Sequence, residues 1–181
     1  MPVLFRTIVL ATWLYACMGS AHAVLPVGAA APRFSTPAAL AGKAFTFDLD
    51  AALQKGPVVL YFFPKAFTQG CTLEAHAFAE ATPQFAALGA TVLGMSHDDI
   101  ATLARFSSEA CRDQFAVASD PEARTIRAYD AAAAANPQRA DRISYVIGQD
   151  RTIRFVHSGA DPQEHVQRTL AAVQQLQAAR K

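Results

Sequence analysis

The sequence of residues 57–74 is PVVLYFFPKAFTQGCTLE, and it decides the fold. Its first seven residues are apolar, rich in β-branched and aromatic side chains, and bounded by Gly56 and Pro64. Such a short continuous run predicts a strand that is buried on both faces. A helix is predicted from Cys71 to Leu88, because its apolar residues recur mostly at helical spacing. The stretch therefore predicts a buried strand, a short loop and a helix that begins at a cysteine.

Further strands and helices alternate along the rest of the chain. Strands are predicted at residues 44–49 (at an edge), 91–95, 143–147 and 152–156, and helices at 100–111, 121–129 and 163–179. Residues 148–151 predict a hairpin turn, whereas residues 24–37, rich in Pro, Ala and Gly, predict irregular chain on the surface. Strands alternating with helices indicate an α/β domain. We expect a thioredoxin-like fold, with a central mixed β-sheet flanked by helices.

Composition excludes several classes of protein. The chain has 181 residues, of which 52% are hydrophobic and 17% are charged, and this combination excludes a disordered chain. Its 16 Lys and Arg against 15 Asp and Glu give a formal charge of +1. The chain is near neutral and has no basic block. No nucleic-acid partner is therefore expected, because such binding depends on many contacts from Lys and Arg to phosphates. The length predicts one domain.

Residues 1–23 have the layout of a secretory signal peptide. A short cationic start is followed by the uncharged run 7–19 and by small residues that end at Ala23. This run is shorter than the roughly 20 residues of a transmembrane helix, so no stable membrane insertion is expected once the signal is removed. We expect cleavage after Ala23 and an exported, periplasmic domain at residues 24–181. A lipoprotein signal that ends at Cys17 is the weaker alternative.

Cys71 is the candidate reactive residue. The unpaired N–H groups at a helix N-terminus favour an anion, and so they favour the thiolate form of a cysteine there. Thr68 can offer its hydroxyl to a polar oxygen beside the sulfur, and Pro64, which has no N–H, can shield the thiolate. For a lone cysteine, a buried structural role is the alternative.

Pro64, Thr68 and Cys71 form the pattern P-x-x-x-T-x-x-C, which resembles the active-site motif of peroxiredoxins. The flanking residues 58–65 and 70–75 are similar to the bacterioferritin comigratory protein/PrxQ subfamily of these AhpC/TSA-like proteins. The resemblance extends from about residue 27 to about residue 176, with further similar stretches at residues 27–34, 92–96, 119–121 and 141–147.

The resemblance implies a thioredoxin-dependent peroxidase that reduces hydrogen peroxide and organic hydroperoxides. Cys71 would attack the peroxide and become a sulfenic acid, while Thr68 and nearby N–H groups hold the substrate. Arg142 would stabilise the thiolate and the charge on the leaving oxygen. A surface ion pair with Asp141 is the alternative for Arg142. Glu74 is expected either to orient Arg142 or to act only as a charge near the helix start.

The resolving cysteine departs from the common pattern of the subfamily. Many relatives carry it five residues after the peroxidatic cysteine, where this chain has His76, which is either a solvated helix residue or a base. Cys111, near the end of the helix predicted at residues 100–111, is the remaining candidate. It fits a variant of the family that has its resolving cysteine in this helix. A Cys71–Cys111 disulfide would require one or both helix ends to unwind. The alternatives are a one-cysteine cycle resolved by an external thiol and a structural Cys111.

The expected partners are a peroxide substrate and a thioredoxin-like or other thiol reductant. The histidines and cysteines lack zinc-site spacing, and no phosphate-binding glycine loop or nicotinamide fingerprint is present, so no metal and no cofactor are expected. Relatives of this type are often monomers, and we expect a monomer, although the chain alone leaves a dimer open.

Two other functions are compatible with the same fold. A disulfide oxidoreductase would need a cysteine where Thr68 stands, to complete a Cys-x-x-Cys pair with Cys71. The other is non-enzymatic, either a peroxide sensor, which would recycle slowly and form a mixed disulfide with a specific partner, or a redox-inactive binding domain. The intact set of Pro64, Thr68, Cys71 and Arg142 argues against an inactive domain.

Overall fold

The strand predicted at residues 57–63 forms β3, Val58–Phe62, and lies inside a seven-stranded sheet. The structure, a computed structural model, describes residues 24–179. The predicted signal peptide therefore lies outside the described residues, and so does Cys17.

The described chain contains nine strands and five helices. The strands are β1 (Ser35–Leu40), β2 (Lys43–Asp48), β3 (Val58–Phe62), β4 (Thr91–Ser96), β5 (Ala116–Ser119), β6 (Ala132–Ala133), β7 (Asn136–Ala140), β8 (Ile143–Ile147) and β9 (Ile153–Ser158). The helices are α1 (Leu49–Leu53), α2 (Gln69–Ala87), α3 (Ile100–Glu109), α4 (Arg124–Ala128) and α5 (Pro162–Ala178). No helix within residues 24–179 combines the length and apolar character needed to cross a membrane.

The large sheet is mixed, with strand order β2-β1-β5-β4-β3-β8-β9. Strands β3, β4 and β5 run parallel to one another, and the remaining neighbours are antiparallel. The hairpin turn predicted at residues 148–151 joins β8 and β9, with the N–H of Arg151 donating to the carbonyl of Gly148 over 2.8 Å. The predicted α/β architecture, a central mixed sheet flanked by helices, is confirmed.

Strand β3 is buried on both faces because its side chains alternate between two apolar layers. Val59, Tyr61 and the adjoining Phe63 belong to one layer, which also contains buried residues of α2, α3 and α5. Val58, Leu60 and Phe62 belong to the other layer, which includes buried residues of α1 and α4. The continuous apolar run is therefore the centre of a helix–sheet–helix stack.

Two strands of the large sheet, β1 and β5, are missing from the sequence prediction. Pro37 lies within β1, and a proline argues against a strand. Strand β5, with sequence AVAS, has only four residues and forms where β1 and β4 pair with its two sides. Three smaller elements, α1, β6 and β7, are also absent from the prediction. The helix predicted at residues 100–111 ends earlier, at Glu109, so Cys111 lies in the turn that follows it.

Candidate active site

Asp98, in the loop after β4, holds the loop that follows β3. The N–H of Ala66 donates to Oδ2 of Asp98 over 2.7 Å, and the hydroxyl of Ser96 donates to the same oxygen over 2.8 Å. The hydroxyl of Ser119, at the end of β5, donates to the carbonyl of Asp98 over 2.7 Å. Asp98 therefore joins the carboxyl ends of β3, β4 and β5, a role that no pattern in the sequence indicated.

An aromatic contact fixes the other half of this loop. Phe67 adopts a φ of 63°, a conformation that costs an L-residue about 1–2 kcal/mol. Its ring is 40% exposed and packs edge-on against Phe106 of α3, with 5.2 Å between centroids. The guanidinium of Arg105 covers the same ring at 5.2 Å. Contacts with α3 thus hold the strained residue in place.

Cys71 lies in the first turn of α2, as predicted, and is 2% exposed. The first intrahelical hydrogen bond runs from the N–H of Thr72 to the carbonyl of Thr68 over 2.9 Å. The N–H groups of the residues between them have no acceptor in the preceding turn, as at any helix start. They are available to an anion or a polar oxygen at the sulfur.

Thr68 and Pro64 lie on the same loop. Thr68 is the N-cap of α2, but its side chain makes no capping bond, and its hydroxyl donates instead to the carbonyl of Lys65 over 3.0 Å. The threonine is exposed, so its hydroxyl can also accept a hydrogen bond from a substrate. Pro64 is half-buried directly after the buried Phe63. The structure thus places both residues at the approach to the helix start.

Arg142 brings a positive charge to the sulfur. It lies just before β8, and its Nη2 donates to Sγ of Cys71 over 3.7 Å. The guanidinium reaches the helix start over Gly70, where an added Cβ would lie 3.2 Å from Nη2. The predicted pairing of Arg142 with Cys71 is therefore present in the geometry.

Glu74 is the hydrogen-bond partner of Arg142. Its Oε2 accepts from Nη1 of Arg142, and the carboxyl is 0% exposed. The expected alternative pairing of Arg142 with Asp141 is not what the structure has, since Asp141 is exposed and Arg142 turns inward. Burial raises the pKa of Glu74 to about 8, and the charge of Arg142 opposes this effect. Glu74 thus holds one side of the guanidinium while the other side faces Cys71.

A buried histidine lies behind this pair. His165, on α5, has Nδ1 2.8 Å from the hydroxyl of Ser144 and Nε2 3.0 Å from the carbonyl of Gly159. The same Nδ1 lies 4.0 Å from Oε1 of Glu74. The sequence shows His165 only as a histidine on an amphipathic helix. Its position beside Glu74 could not be predicted, because it depends on the packing of α5 against α2.

Cys111 is buried in the same apolar layer as Cys71, and both are free thiols. Its N–H donates to the carbonyl of Phe106 over 3.0 Å. The next two residues, Arg112 and Asp113, have φ values of 51° and 59°. Burial, with a smaller contribution from the charge of Asp113, raises the pKa of the Cys111 thiol. In this state Cys111 is a poor nucleophile.

Among the described residues, the side chain that hydrogen-bonds to Sγ of Cys71 is Arg142 and not a histidine. His76 is half-buried on α2 and stays without an assigned role. Within residues 24–179, no group of three or more His, Cys, Asp or Glu side chains is arranged to hold a metal ion. The chemistry available at the site is that of a thiol beside a cation and free backbone N–H groups.

Comparison with known proteins identifies the family. Residues 27–156 match the AhpC/TSA family. Over 121 residues the chain is 30% identical to chloroplastic peroxiredoxin Q of Oryza sativa subsp. japonica. The aligned stretch covers 66% of this chain and 55% of the rice protein. The chain thus spans about half the length of the curated relatives it matches first.

Solved structures agree. The crystal structure of peroxidoxin BcpB from Mycobacterium tuberculosis superposes with a TM-score of 0.75 at 27% identity, covering 83% of this chain and 97% of that chain. For Xanthomonas campestris peroxiredoxin Q the TM-score is 0.69 at 25% identity, with 78% and 90% covered. These neighbours confirm the predicted thioredoxin-like fold. Together with the match over residues 27–156, they show that the chain is a member of the AhpC/TSA family, similar to its PrxQ peroxiredoxins.

Proposed function

We propose that this protein is a thiol-dependent peroxidase that reduces hydrogen peroxide and organic hydroperoxides at Cys71. The observation that carries the proposal is the 3.7 Å contact between Nη2 of Arg142 and Sγ of Cys71, at the open N-terminus of α2. Family membership supports the same activity.

The first step is a two-electron oxidation of Cys71. The thiolate sulfur attacks the terminal peroxide oxygen, so that an S–O bond forms and the O–O bond breaks. The sulfur takes the terminal OH of the peroxide and becomes a sulfenic acid, and the alkoxide or hydroxide that leaves takes a proton from solvent to give an alcohol or water. Arg142 and the N–H groups at the helix start stabilise the negative charge as it moves to the leaving oxygen. Thr68 holds the substrate beside the sulfur, and Pro64 shields the thiolate.

The second step joins Cys71 to Cys111. The Cys111 thiol loses its proton and attacks the sulfenic sulfur, an S–S bond forms, the S–O bond breaks, and the hydroxide that leaves takes up a proton to give water. An external thiol protein of the thioredoxin type then supplies the two electrons that reduce the disulfide. Because Cys111 is buried and follows α3 in a turn with two residues at positive φ, the turn must open before its thiol reacts.

A one-cysteine peroxidase or peroxide sensor is the second candidate. The burial of Cys111 and the raised pKa of its thiol favour slow resolution, which would allow an external thiol to reach the sulfenic acid first. Peptide mapping without reductant, after one equivalent of peroxide, separates the two candidates. A Cys71–Cys111 peptide supports the intramolecular cycle, and a persistent sulfenic acid on Cys71 supports the alternative.

We also propose that residues 1–23 direct export to the periplasm and are removed after Ala23. The layout of the N-terminal sequence supports the export. The N-terminal sequence of the protein from the periplasmic fraction tests it. A mature chain that begins at Val24 supports the proposal, and a lipid-modified Cys17 would contradict it.

The experiment that tests the activity compares Cys71→Ser with Cys111→Ser. Peroxide consumption with a thioredoxin-type reductant should be lost in Cys71→Ser. In Cys111→Ser, the first oxidation of Cys71 should continue while steady-state turnover slows. Full activity in Cys71→Ser would remove the basis of the proposal.

A further inference from the structure

A buried hydroxyl without a hydrogen bond lies close to the turn that contains Cys111. Tyr61, in the middle of β3, is 0% exposed, and its hydroxyl has no hydrogen-bond partner among the described residues. Such a group loses its hydrogen bonds to water on folding and gains none in return, so it is rare in folded proteins. The folded protein therefore carries an unfavourable contribution to its free energy at this position.

Packing fixes the direction in which this hydroxyl points. The ring of Tyr61 stacks on Phe78 of α2, with 4.3 Å between centroids. It reaches over Gly94 of β4, where an added Cβ would lie 2.9 Å from the hydroxyl oxygen. On its other side, Gly94 pairs with Val117 of β5. The hydroxyl is therefore directed from β3 across β4 towards β5, the strand that follows Cys111 in the chain.

Residues 110–115, here called the Cys111 turn, connect α3 to β5 and pack against the same ring. Phe115, the last residue of the turn, lies edge-on to Tyr61 with 5.9 Å between ring centroids. Cys111, Phe115 and Tyr61 belong to one buried apolar layer. Burial raises the pKa of Tyr61 well above its ordinary value, and among the charged groups Cys111 has the largest effect on it. Opening of the Cys111 turn is therefore the movement that uncovers the hydroxyl to water.

The contacts that keep the Cys111 turn closed from outside are weak. Nη1 of Arg112 donates to Oε1 of Glu80 on α2 over 3.1 Å, and these side chains are 50% and 69% exposed. An ion pair this exposed contributes little to stability. Arg112 and Asp113 also adopt positive φ values, 51° and 59°, which are unfavourable for L-residues. The closed turn is thus held loosely on the outside and opposed by an unpaired hydroxyl on the inside.

We propose that Tyr61 is a positioning residue for the resolving step, because its unpaired hydroxyl destabilises the closed Cys111 turn and so makes Cys111 accessible more often. Once the turn opens, water supplies the missing hydrogen bonds and the unfavourable contribution disappears. This inference rests on the proposed peroxidase function, since an accessible Cys111 is what the sulfenic acid of Cys71 needs.

Alkylation of Cys111 by iodoacetamide measures the opening of the turn without any peroxide chemistry. The protein carries Cys71→Ser, and peptide mass spectrometry quantifies modification at Cys111 alone. The rate in the folded protein, divided by the rate in the same protein unfolded in urea, corrects for the intrinsic reactivity of the thiol. This ratio gives the fraction of molecules in which the Cys111 turn is open.

Tyr61→Phe removes the hydroxyl and keeps the ring. We expect the open fraction to fall by about 10-fold, which corresponds to about 1.4 kcal/mol, and the thermal midpoint of the reduced protein to rise. If Tyr61 only supported the packing, its substitution would lower the thermal midpoint and speed alkylation. Unchanged or faster alkylation in Tyr61→Phe would overturn the proposal.

Tyr145→Phe is the matched control, because this tyrosine is also buried but its hydroxyl is paired. It donates to the carbonyl of Tyr129 over 2.7 Å, in the other apolar layer. Tyr145→Phe should lower the thermal midpoint and should not reduce the open fraction. An equal reduction in both variants would mean that alkylation does not report the unpaired hydroxyl, and it would also overturn the proposal.

Glu80→Gln changes the outer contact of the turn and should act in the opposite direction. Loss of the ion pair with Arg112 should raise the open fraction by about 2- to 3-fold, the usual effect of one exposed pair.

A second measurement separates this inference from the proposed function. With Cys71 intact and one equivalent of peroxide, the Cys71–Cys111 disulfide should form about 10-fold more slowly in Tyr61→Phe than in the wild-type protein. If neither protein forms this disulfide, the resolving role of Cys111 is wrong, and the alkylation rates still decide whether Tyr61 controls the turn.

Discussion

Nη2 of Arg142 lies 3.7 Å from the sulfur of Cys71, although the two residues are 71 positions apart in the chain. The other side of the guanidinium is bound to Glu74, one helical turn after Cys71. The planar fork of an arginine can make both contacts at once, whereas a lysine ammonium is a single point charge. The geometry thus requires an arginine at this position and not merely a cation.

Arg142→Lys should slow the oxidation of Cys71 while the protein stays folded. One ammonium cannot hold Glu74 and also reach the sulfur, so we expect the rate constant with hydrogen peroxide to fall by about 100-fold, the usual effect of losing one charge-stabilising donor. Mass spectrometry of rapidly quenched, dimedone-trapped samples measures the rate. Arg139→Lys, at an exposed position of β7, is the control and should have the wild-type rate.

Gly70→Ala tests the space that Arg142 needs. The added methyl group would lie 3.2 Å from Nη2, so the guanidinium must shift by a few tenths of an ångström. We expect the oxidation rate to fall by about 5-fold, since small displacements of a charge-stabilising group have large effects on rate. Gln69→Ala, at the preceding exposed position, should not change it. A wild-type rate in Gly70→Ala would show that the position of Nη2 is not limiting.

Asp98→Ala should loosen the loop between β3 and α2. It leaves the N–H of Ala66 and the hydroxyl of Ser96 without their shared acceptor. We expect a loss of about 1–3 kcal/mol in the free energy of unfolding and slower oxidation of Cys71. Asp98→Asn retains an acceptor oxygen and should lose less of both. Urea unfolding, followed by circular dichroism, gives the comparison, and equal losses in the two variants would contradict the role of this oxygen.

The fold and the centre of the site could be predicted from sequence, whereas the supporting contacts could not. The apolar run 57–63 and the spacing from Pro64 to Cys71 are local patterns, and local patterns identify strands, helix starts and motifs. Asp98 and His165 act across the fold, and only tertiary packing brings them to the site. Strand β5 depends on its neighbours in the same way, because four small residues carry little preference of their own.

The free energy of unfolding should depend on pH through Glu74. Its pKa is about 8 in the folded protein against an ordinary 4.5, so between these values the folded state keeps a proton that the unfolded state has released. Stability therefore falls as pH rises over this range, by up to about 1.4 kcal/mol per pH unit. His165, with its pKa lowered from 6.5 to about 4, contributes the opposite slope below pH 6.5.

The slope that belongs to Glu74 is thus isolated between pH 6.5 and about 8, the range between the ordinary histidine value and the Glu74 value. Urea titrations across this range should show it in the wild-type protein and not in Glu74→Gln, whose amide has the shape of the protonated acid. The same slope in both proteins would mean that another group causes it.

Asp113→Asn should speed formation of the proposed Cys71–Cys111 disulfide. The charge of Asp113 adds to burial in raising the pKa of the Cys111 thiol, and asparagine tolerates the φ of 59° at this position. Because burial is the larger cause and remains, we expect only about a 2- to 3-fold faster loss of the sulfenic acid at neutral pH. Asp141→Asn, an exposed change of the same kind, is the control. An unchanged rate in Asp113→Asn would favour resolution by an external thiol.

Phe106 connects the two steps of the proposed cycle. Its ring supports Phe67 in the loop before Cys71, and its carbonyl accepts the N–H of Cys111 over 3.0 Å. A movement that frees Cys111 breaks that hydrogen bond and loosens the same turn of α3. In that opened state, the loop before Cys71 loses the contact between Phe67 and Phe106. In the proposed cycle, the arrangement that supports the loop before Cys71 and the arrangement that frees Cys111 would therefore exclude each other.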